Sequence, residues 1–204
     1  MELQNEIARD LLRIKAVQIK TEGYFTWTSG IKSPIYCDNR LTMSYPEIRK
    51  KITKAFLQKL EELNIQPDVI AGCATAGIPH AAWLASELNI PMIYVRSKPK
   101  GHGKGNQIEG NVEKGQKIVV IEDLISTGGS SIETANVLRN QGFEVLAVLA
   151  IFTYGLPISD KRFEEEDLVV STITSFDNLL EVLVADKEIT EADKEKLLTW
   201  RGQL

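Results

Sequence analysis

Two adjacent carboxylates follow an apolar run and precede a turn that is rich in small polar residues. The run is Lys117 to Ile121, the acids are Glu122 and Asp123, and the turn covers residues 126–131. Carboxylates accept hydrogen bonds from sugar hydroxyls, with or without the help of a divalent cation. Glycines allow the backbone to approach a ligand, and the hydroxyls and the start of a helix offer donors to a phosphate. A ribose 5-phosphate is the fragment that satisfies both halves.

The same segment has a plainer interpretation, which is a capped helix after a strand with two solvated acids. Other nucleotide sites are less well supported, because neither a Walker sequence nor a G-x-G-x-x-G fingerprint is present. Nucleoside triphosphate and dinucleotide folds are therefore disfavoured.

A second segment, residues 96–110, combines cations with glycines in an otherwise acidic chain. Its cations are Arg96, Lys98, Lys100 and Lys104, and its glycines are Gly101, Gly103, Gly105 and Gly110. Such a loop is suited to close over a polyanion and to exclude water as it closes. The alternative is a surface cation cluster without a role. His102 lies within this loop and is expected to meet a phosphate, whereas His80 follows Pro79 in an apolar helix and is interpreted as structural.

The elements around these segments alternate between strands and helices. Short β-rich runs are predicted at 68–72, 92–95, 117–121 and 145–152, with helices at 78–88 and 130–139 between them. Single helices between strands require crossover connections, so the sheet should be largely parallel. The loop Cys73 to Pro79 lies between a strand and a helix and could present backbone amides to a diphosphate.

The flanking regions are predicted with less detail. Apolar residues spaced three or four apart from Leu3 to Ile14 indicate an amphipathic helix, and Tyr24 to Asp38 is typical of an extended hairpin. Ser44 and Glu47 form a capping-box pattern for a helix that continues to Leu60. A further strand is predicted at 168–173, and Thr190 begins a last helix that ends near Trp200.

Composition indicates an ordinary globular chain. It has 204 residues, 24 Lys and Arg against 28 Asp and Glu, a formal charge of −4 and 43% hydrophobic residues. The negative charge argues against general nucleic-acid or anionic-membrane binding, although local basic patches stay open. We expect a cytoplasmic protein, because the chain shows neither a signal-like apolar run near its start nor a membrane span. Cys37 and Cys73 are expected to be reduced, and no protein metal centre is predicted.

The acid pair and its turn resemble the phosphoribosyl diphosphate (PRPP) motif of type I phosphoribosyltransferases. Phe25 to Asp38 is similar to the N-terminal hood of the orotate phosphoribosyltransferase family, and Arg96 to Gly110 resembles the family's mobile catalytic loop. The resemblance covers nearly the whole chain. It implies an α/β type I phosphoribosyltransferase fold in one domain, 1–204, with a parallel sheet core flanked by helices. The hood would lie mainly in 1–45 with C-terminal contributions, and the core at about 46–170.

That resemblance implies transfer of phosphoribosyl from PRPP to orotate, with Mg²⁺ bound mainly through PRPP, in pyrimidine (UMP) biosynthesis. It also implies a homodimer with shared active sites. The catalytic residues would be Arg96, Lys100, His102 and Asp123. PRPP would be bound by Arg96, Lys100, His102, Glu122, Asp123, Leu124, Ile125, Ser126, Thr127, Gly128, Gly129 and Ser130, and orotate by Ser126, Tyr36 and Cys37.

Several positions depart from the family's pattern. Thr28, Ala76 and Ser97 stand where family members can carry basic residues, and Phe152 to Gly155 lacks an arginine found after this strand in some of them. Fewer fixed cations mean that more depends on the loop and the metal, with Lys32 or Lys98 as candidates for compensation.

Two rival functions remain open from the sequence. A phosphoribosyltransferase for adenine or another purine would share the segment 122–131, but the aromatic hood and Lys100 to Gly103 favour orotate. A regulator that senses PRPP and binds nucleic acid would need a basic docking face, which neither the net charge nor the chain length suggests.

Overall fold

The structure is a computed structural model that describes residues 2–26, 32–98 and 107–203. Helix α1 (Glu2–Arg13) opens the chain and is the amphipathic helix that the spacing predicts. It buries Ile7, Ala8 and Leu11 completely. Burial of one apolar stripe gives this helix most of its stability, because isolated helices of this length are marginal in water.

Two small antiparallel sheets follow α1. Strand β1 (Val17–Ile19) pairs with β4 (Ile35–Cys37), and β2 (Phe25–Thr26) pairs with β3 (Lys32–Ser33). The β2–β3 pair confirms the predicted hairpin, whose tip at residues 27–31 lies outside the described residues. The pairing of β1 with β4 was not predicted, since three residues carry too little pattern to identify a strand.

A 3₁₀ helix at Asn39–Ser44 joins this region to α2 (Pro46–Glu62), where Pro46 occupies the first helical turn. The predicted capping box at Ser44 is wrong. The N-cap residue is Tyr45, and it makes no side-chain hydrogen bond to the helix. Ser44 is the last residue of the 3₁₀ helix, so its backbone is already committed to that preceding turn.

Six strands then form the central sheet in the spatial order β10-β9-β8-β5-β6-β7. Their bounds are β5 (Val69–Cys73), β6 (Met92–Val95), β7 (Ile108–Glu109), β8 (Lys117–Ile125), β9 (Glu144–Thr153) and β10 (Val170–Ser175). All neighbours are parallel except β6 and β7. The predicted, largely parallel sheet is therefore confirmed.

The helices connect and cover these strands. They are α3 (Gly77–Leu88), α4 (Gly129–Asn140), α5 (Pro157–Glu165), α6 (Phe176–Ala185) and α7 (Glu191–Arg201). The sequence pattern missed α5, α6 and the short strand β7. It placed α7 correctly, and Thr190 and Asp193 form a complete capping box there. Among the described residues, no helix combines the length and apolar character that a membrane crossing requires.

The core lies on both faces of the sheet, because side chains alternate along each buried strand. On β8, Val119 and Ile121 pack into the cluster that also contains residues of α1, α2, α3 and α6. Ile118 and Val120 point to the opposite face, where α4 and α5 contribute Ala135 and Phe163. The sheet is thus fixed between two helical layers.

The chain reverses its direction of winding between β5 and β8. These strands are neighbours, yet α3 carries the chain from β5 to β6 on one side, and α4 carries it from β8 to β9 on the other. In open parallel sheets, ligands bind in the crevice that such a reversal leaves at the carboxyl ends of the strands. The fold therefore places a crevice between the loops after β5 and β8.

Candidate functional site

A cleft of about 430 Å³ opens at the carboxyl ends of β5 and β8. It collects residues from three separate parts of the chain: the end of β4 with the segment after it, the loop after β5, and the end of β8 with the start of α4. Its lining residues are Cys37, Asp38, Arg40, Ala74, Thr75, Ala76, Glu122, Asp123, Leu124 and Ser130.

The acid pair lies inside β8 rather than after it, because the strand runs to Ile125 and not to Ile121 as predicted. Pairing with β5 reaches only Gly72 opposite Ile121, whereas pairing with β9 continues to Ile125. The last residues of β8 therefore have an open edge toward the cleft. That edge presents Glu122 and Asp123 on a strand that β9 still holds in place.

Glu122 is almost fully buried, with 5% of its surface exposed. Its carboxylate accepts hydrogen bonds from the backbone N–H of Asp123 and from the Ser130 hydroxyl, both at 3.0 Å. Burial, assisted by the neighbouring Asp123 carboxylate, raises the pKa of Glu122 to about 7. Burial also raises the pKa of Asp123. Two close carboxylates in a poorly solvated site are not readily ionised together, because each charge lacks water and repels the other. A cation, or hydroxyl groups that donate hydrogen bonds, would stabilise the ionised carboxylates there.

The turn after β8 is shaped by Gly128, the N-cap residue of α4. Its φ of +77° lies in the left-handed region, and an added Cβ would lie 2.8 Å from a ring carbon of Phe163. Both constraints favour glycine. The first turn of α4 has neither a side-chain cap nor an acidic residue, so its amides are available to an anion.

The other residues of this turn differ in what they can offer a ligand. Thr127, Gly129 and Ser130 are exposed, and Ser126 is half-buried. Of these four residues, Ser130 lines the cleft. Ser131, also considered as a phosphate donor, is fully buried, and its hydroxyl has no partner among the described residues.

Leu124 and Ile125 were both predicted to contact PRPP. Leu124 lines the cleft. Ile125 is 2% exposed and packs in the core beside Phe163, and its carbonyl accepts a hydrogen bond from the Tyr154 N–H at 3.1 Å. Its side chain is therefore turned away from the cleft in this structure.

The loop after β5 forms the opposite wall of the cleft. An added Cβ at Gly77 would overlap the carbonyl oxygen of Ile121, so glycine allows the start of α3 to lie directly against β8. Ala76 is the N-cap residue of α3 and makes no side-chain cap, and the first turn contains no acidic residue. The Ala74 N–H donates to the Val95 carbonyl at 3.0 Å, and the amides that follow it are the ones this loop can offer an anion. The side chains of Ala74, Thr75 and Ala76 carry no charge.

Of the two residues predicted to read the base, Cys37 lines the same cleft and Tyr36 directly precedes it in the chain. Tyr36 is exposed, and its ring centroid lies 5.9 Å from that of Phe25 in the hairpin. Cys37 lines the cleft, and burial raises the pKa of its thiol, with the Asp123 and Asp38 carboxylates adding to the effect. Cys37 and Cys73 are both free cysteines, as predicted.

The basic loop is only partly described. Arg96 is half-buried, lies 3.4 Å from the Glu109 carboxylate through Nη1, and lines a small adjoining cavity with Ala74 and Ser130. The Arg96 N–H donates to the Gln107 carbonyl at 2.8 Å, so its backbone is held beside the cleft. Lys100 and His102 lie outside the described residues, as do Lys104 and Thr28 of the hairpin tip.

Sequence reasoning missed three consecutive residues of the site, Asp38, Asn39 and Arg40. The Asn39 amide donates to the backbone oxygen of Asp123 at 2.7 Å, and Arg40 lines the cleft. The available signal was the run Asp38-Asn39-Arg40 directly after the predicted hairpin. Three consecutive polar residues cannot all belong to the buried face of a strand or helix, and such runs are typical of loops that contact a ligand.

A larger cavity of about 960 Å³ lies elsewhere, between α1, β1 and the end of α6. It includes Arg9 and Asp186, whose side chains form two hydrogen bonds of 2.7 and 2.8 Å with each other. We assign the functional site to the smaller cleft, because the larger cavity contains no residue of the central sheet, and the helix start that it touches, at Asp193, is already satisfied by its capping box.

Over residues 2–26, 32–98 and 107–203, no group of three or more acidic, histidine or cysteine side chains is arranged to hold a metal. The cleft does contain the neighbouring carboxylates Glu122 and Asp123. Mg²⁺ commonly uses one or two carboxylates together with substrate phosphates and waters. The residues present therefore fit a magnesium ion that arrives with a phosphorylated substrate better than one held by protein side chains alone.

Known proteins share this architecture and sequence. The phosphoribosyl transferase domain family matches residues 44–184. The orotate phosphoribosyltransferase of Oceanobacillus iheyensis is 58% identical over 202 residues, which cover 99% of this chain and 100% of that protein. The Bacillus pumilus orotate phosphoribosyltransferase is 55% identical over 199 residues, covering 98% and 94%. The crystal structure of the Aeropyrum pernix orotate phosphoribosyltransferase superposes with a TM-score of 0.77 at 29% identity, covering 87% of this chain and 97% of that one. This chain, with its acid pair at the reversal point of the sheet, belongs to the orotate phosphoribosyltransferase family.

Proposed function

We propose that this enzyme transfers the phosphoribosyl group of PRPP to orotate, giving orotidine 5'-monophosphate and diphosphate in the synthesis of UMP. The observation that carries the proposal is the cleft itself. It joins the buried Glu122 and the half-buried Asp123 on β8 to the uncapped start of α4, which are the groups that a ribose and its 5'-phosphate need. The chain's relatives supply the choice of base.

In this proposal, Glu122 and Asp123 accept hydrogen bonds from the ribose hydroxyls. The 5'-phosphate is bound by the turn from Ser126 to Ser130 and by the amides of α4. Leu124 contacts the ribose from the cleft wall, and the contribution of Ile125 is limited to its backbone. The short distance from Ser130 to Glu122 supports a single binding unit, because one hydroxyl links the acid pair to the phosphate turn.

The diphosphate of PRPP is assigned to the loop after β5 and to the basic loop, through Arg96, Lys100 and His102. Magnesium, bound mainly through PRPP, would sit near Glu122 and Asp123 and would neutralise charge that develops on the departing diphosphate. The location of Arg96 beside Ala74 supports this assignment, since the basic loop then begins next to the diphosphate loop.

Orotate is assigned to the space between the hairpin and the end of β8. Backbone groups near Tyr36 and Cys37 would read its ring, and Ser126 would reach it from the phosphate turn. Tyr36, which directly precedes the cleft residue Cys37, packs against Phe25 with ring centroids 5.9 Å apart, and this pair supports an apolar cover for a flat base.

The reaction breaks the bond between the anomeric carbon and a diphosphate oxygen, forms a bond to a ring nitrogen of orotate, and releases the proton of that nitrogen to the departing diphosphate or to water. Positive character develops on the ribose while the electron pair leaves with diphosphate. Catalysis by this chain then consists of orientation of the two substrates and of electrostatic stabilisation of the leaving group. Closure of the basic loop would exclude water, which would otherwise hydrolyse PRPP.

Two further properties are part of the proposal. The enzyme acts as a homodimer in which the basic loop of one subunit reaches its partner's active site, and it works in the cytoplasm. Both rest on the family relationship. Size-exclusion chromatography with light scattering would test the first of them.

The decisive experiment incubates the protein with PRPP, Mg²⁺ and orotate and follows the ultraviolet change as orotidine 5'-monophosphate forms. Parallel reactions replace orotate with adenine or with another purine. Product with orotate alone is the expected result. Product only with a purine would assign the protein to the rival class of phosphoribosyltransferases, and tight nucleic-acid binding without any product would favour a regulator.

A further inference from the structure

Arg40 is the one cationic side chain that lines the cleft within the described part of the chain. Its side chain is 63% exposed, so it is accessible to a ligand. The walls around it carry the carboxylates of Asp38, Glu122 and Asp123. A polyanionic substrate that enters such a cleft would be repelled unless cations compensate for these acids.

The guanidinium of Arg40 is oriented by Asp38 and keeps one edge for a ligand. Nε and Nη2 donate to the two Asp38 carboxylate oxygens at 2.6 and 3.0 Å. These two bonds occupy the edge of the guanidinium that carries Nε. In the parts of the chain that the structure describes, Nη1 and the second hydrogen of Nη2 have no acceptor. The open end edge has the geometry that grips phosphate oxygens in pairs.

The backbone around Arg40 limits its movement. Asp38 is the N-cap of the 3₁₀ helix and also accepts a hydrogen bond from the Arg40 N–H at 3.3 Å. Asn39, the preceding residue, is tied to the Asp123 backbone. Arg40 is therefore held at a fixed position relative to the acid pair, and little side-chain entropy remains to be lost on binding.

The facing wall lacks a charge of its own. None of Ala74, Thr75 and Ala76 carries a charge, and the Ala74 N–H already donates to the Val95 carbonyl at 3.0 Å, so this wall offers an anion the Thr75 hydroxyl and the backbone amides after Ala74. An anion on that wall would meet the amides at the start of α3 on one side. Among the described residues that line the cleft, Arg40 is the group that can supply a positive charge to an anion on this wall.

We propose that Arg40 binds the diphosphate of PRPP and the departing diphosphate, in place of a cation on the loop after β5. The inference rests on the proposed function and deepens it, since it names the fixed protein cation for the leaving group. Diphosphate is favoured over the orotate carboxylate, because it carries more charge and because the wall facing Arg40 is built from backbone donors.

The reverse reaction, from orotidine 5'-monophosphate and diphosphate, separates the two anions. For Arg40→Ala we expect the KM for diphosphate and the KM for PRPP to rise by about tenfold or more, the loss typical of one charge-assisted hydrogen-bond pair. The KM values for orotidine 5'-monophosphate and orotate should change by less than about twofold, because neither substrate loses a contact. Arg40→Lys should fall between the wild type and Arg40→Ala, because it keeps the charge without the fork.

Two further variants make the test specific. Arg9→Ala removes an exposed arginine that has the same two-bond contact with an aspartate, Asp186, far from the cleft, and should leave all four KM values unchanged. Ala76→Lys, added to Arg40→Ala, should restore at least part of the lost diphosphate affinity. A purely structural role of Arg40 would not be rescued by a lysine on the facing loop.

Isothermal titration with diphosphate and Mg²⁺ tests the same contact without turnover. Weaker diphosphate binding by Arg40→Ala with an unchanged unfolding midpoint is expected. Unchanged affinity for diphosphate, or a selective rise in the KM for orotate and orotidine 5'-monophosphate, would overturn the inference. Failure of the wild type to form any nucleotide would instead refute the proposed function, and the titration would still decide whether Arg40 binds diphosphate.

Discussion

The side-chain amide of Asn39 lies 2.7 Å from the backbone oxygen of Asp123, 84 positions further along the chain. Asn39 is fully buried, and its own backbone oxygen accepts a hydrogen bond from Thr42 at 2.6 Å. Beyond Ile121, β8 has no partner in β5, so Asn39 takes a place that a neighbouring strand would otherwise occupy. The segment after the hairpin thus fixes the strand that carries the acid pair.

We predict that Asn39→Ala lowers kcat and destabilises the fold by about 1–3 kcal/mol, because it leaves a buried carbonyl without its donor. Urea unfolding and steady-state kinetics measure the two effects. Asn136→Ala is the matched control, since Asn136 donates to Glu166 at 3.0 Å on the far side of the sheet. The control variant should lose stability at most and should keep the wild-type kcat. An equal loss of kcat in both variants would contradict a specific role for Asn39.

The raised pKa of Glu122 makes a prediction about pH. The folded protein holds this proton up to about pH 7, whereas the unfolded chain releases it near 4.5, the ordinary pKa of a glutamate. Between these values the folded state binds more protons, so stability falls as pH rises. Above pH 7 the ionised, buried carboxylate destabilises the ligand-free fold.

Glu122→Gln should therefore be more stable than the wild type at pH 8 by about 3 kcal/mol, since each tenfold change in proton affinity between the folded and unfolded chains corresponds to about 1.4 kcal/mol. The difference should shrink as pH falls through 7 and vanish near 4.5, the ordinary pKa. Urea unfolding at a series of pH values measures it. Glu87→Gln, in an exposed position of α3, controls for the loss of one surface charge. A pH-independent difference would show that burial of the Glu122 charge is not its cause.

Gly128 tests the shape of the phosphate turn. Gly128→Ala would place a Cβ in the left-handed region and 2.8 Å from Phe163. Gly115→Ala shares the positive φ, +84°, but meets nothing within 4 Å. Both should lose about 1–2 kcal/mol from backbone strain. Gly128→Ala should lose about 1–3 kcal/mol more from overpacking, and should also raise the KM for PRPP. Equal losses in thermal unfolding would mean that Phe163 does not constrain the turn.

Lys100 tests the basic loop. Lys100→Ala should reduce kcat by about a hundredfold or more, since removal of a preorganised electrostatic contact to a developing charge has effects of this size. The unfolding midpoint should stay unchanged. Lys161→Ala, which removes an exposed lysine from α5, is the control and should match the wild type in both measurements. A folded and fully active Lys100→Ala protein would remove Lys100 from the mechanism.

Most of the fold could be predicted because strands that are buried on both faces carry continuous apolar runs. β6 was predicted at its observed bounds, and β5, β8 and β9 within a few residues. The end of β8 was placed too early because Glu122 and Asp123 break the apolar run while the backbone continues in the sheet. The capping box at Ser44 failed because the 3₁₀ helix that Asp38 caps includes Ser44.

The site could be predicted where its residues are contiguous and not where they meet by tertiary packing. Glu122 and Asp123 are recognisable as two neighbouring charges after an apolar run. Asn39 and Arg40 reach the cleft only through the pairing of β1 with β4 and the turn that follows it. No local pattern encodes a contact between Asn39 and Asp123.

The central claim is that one unit, the acid pair with the turn after it, binds a ribose and its 5'-phosphate. Amide chemical shifts recorded by NMR during titration with ribose 5-phosphate test it most directly. We predict the largest changes at the amides of 126–130 and at Asp123, with saturation lost in the Glu122→Gln, Asp123→Asn double variant. Changes confined to the large cavity around Arg9, Val17 and Asp186, with none at 126–130, would contradict the claim.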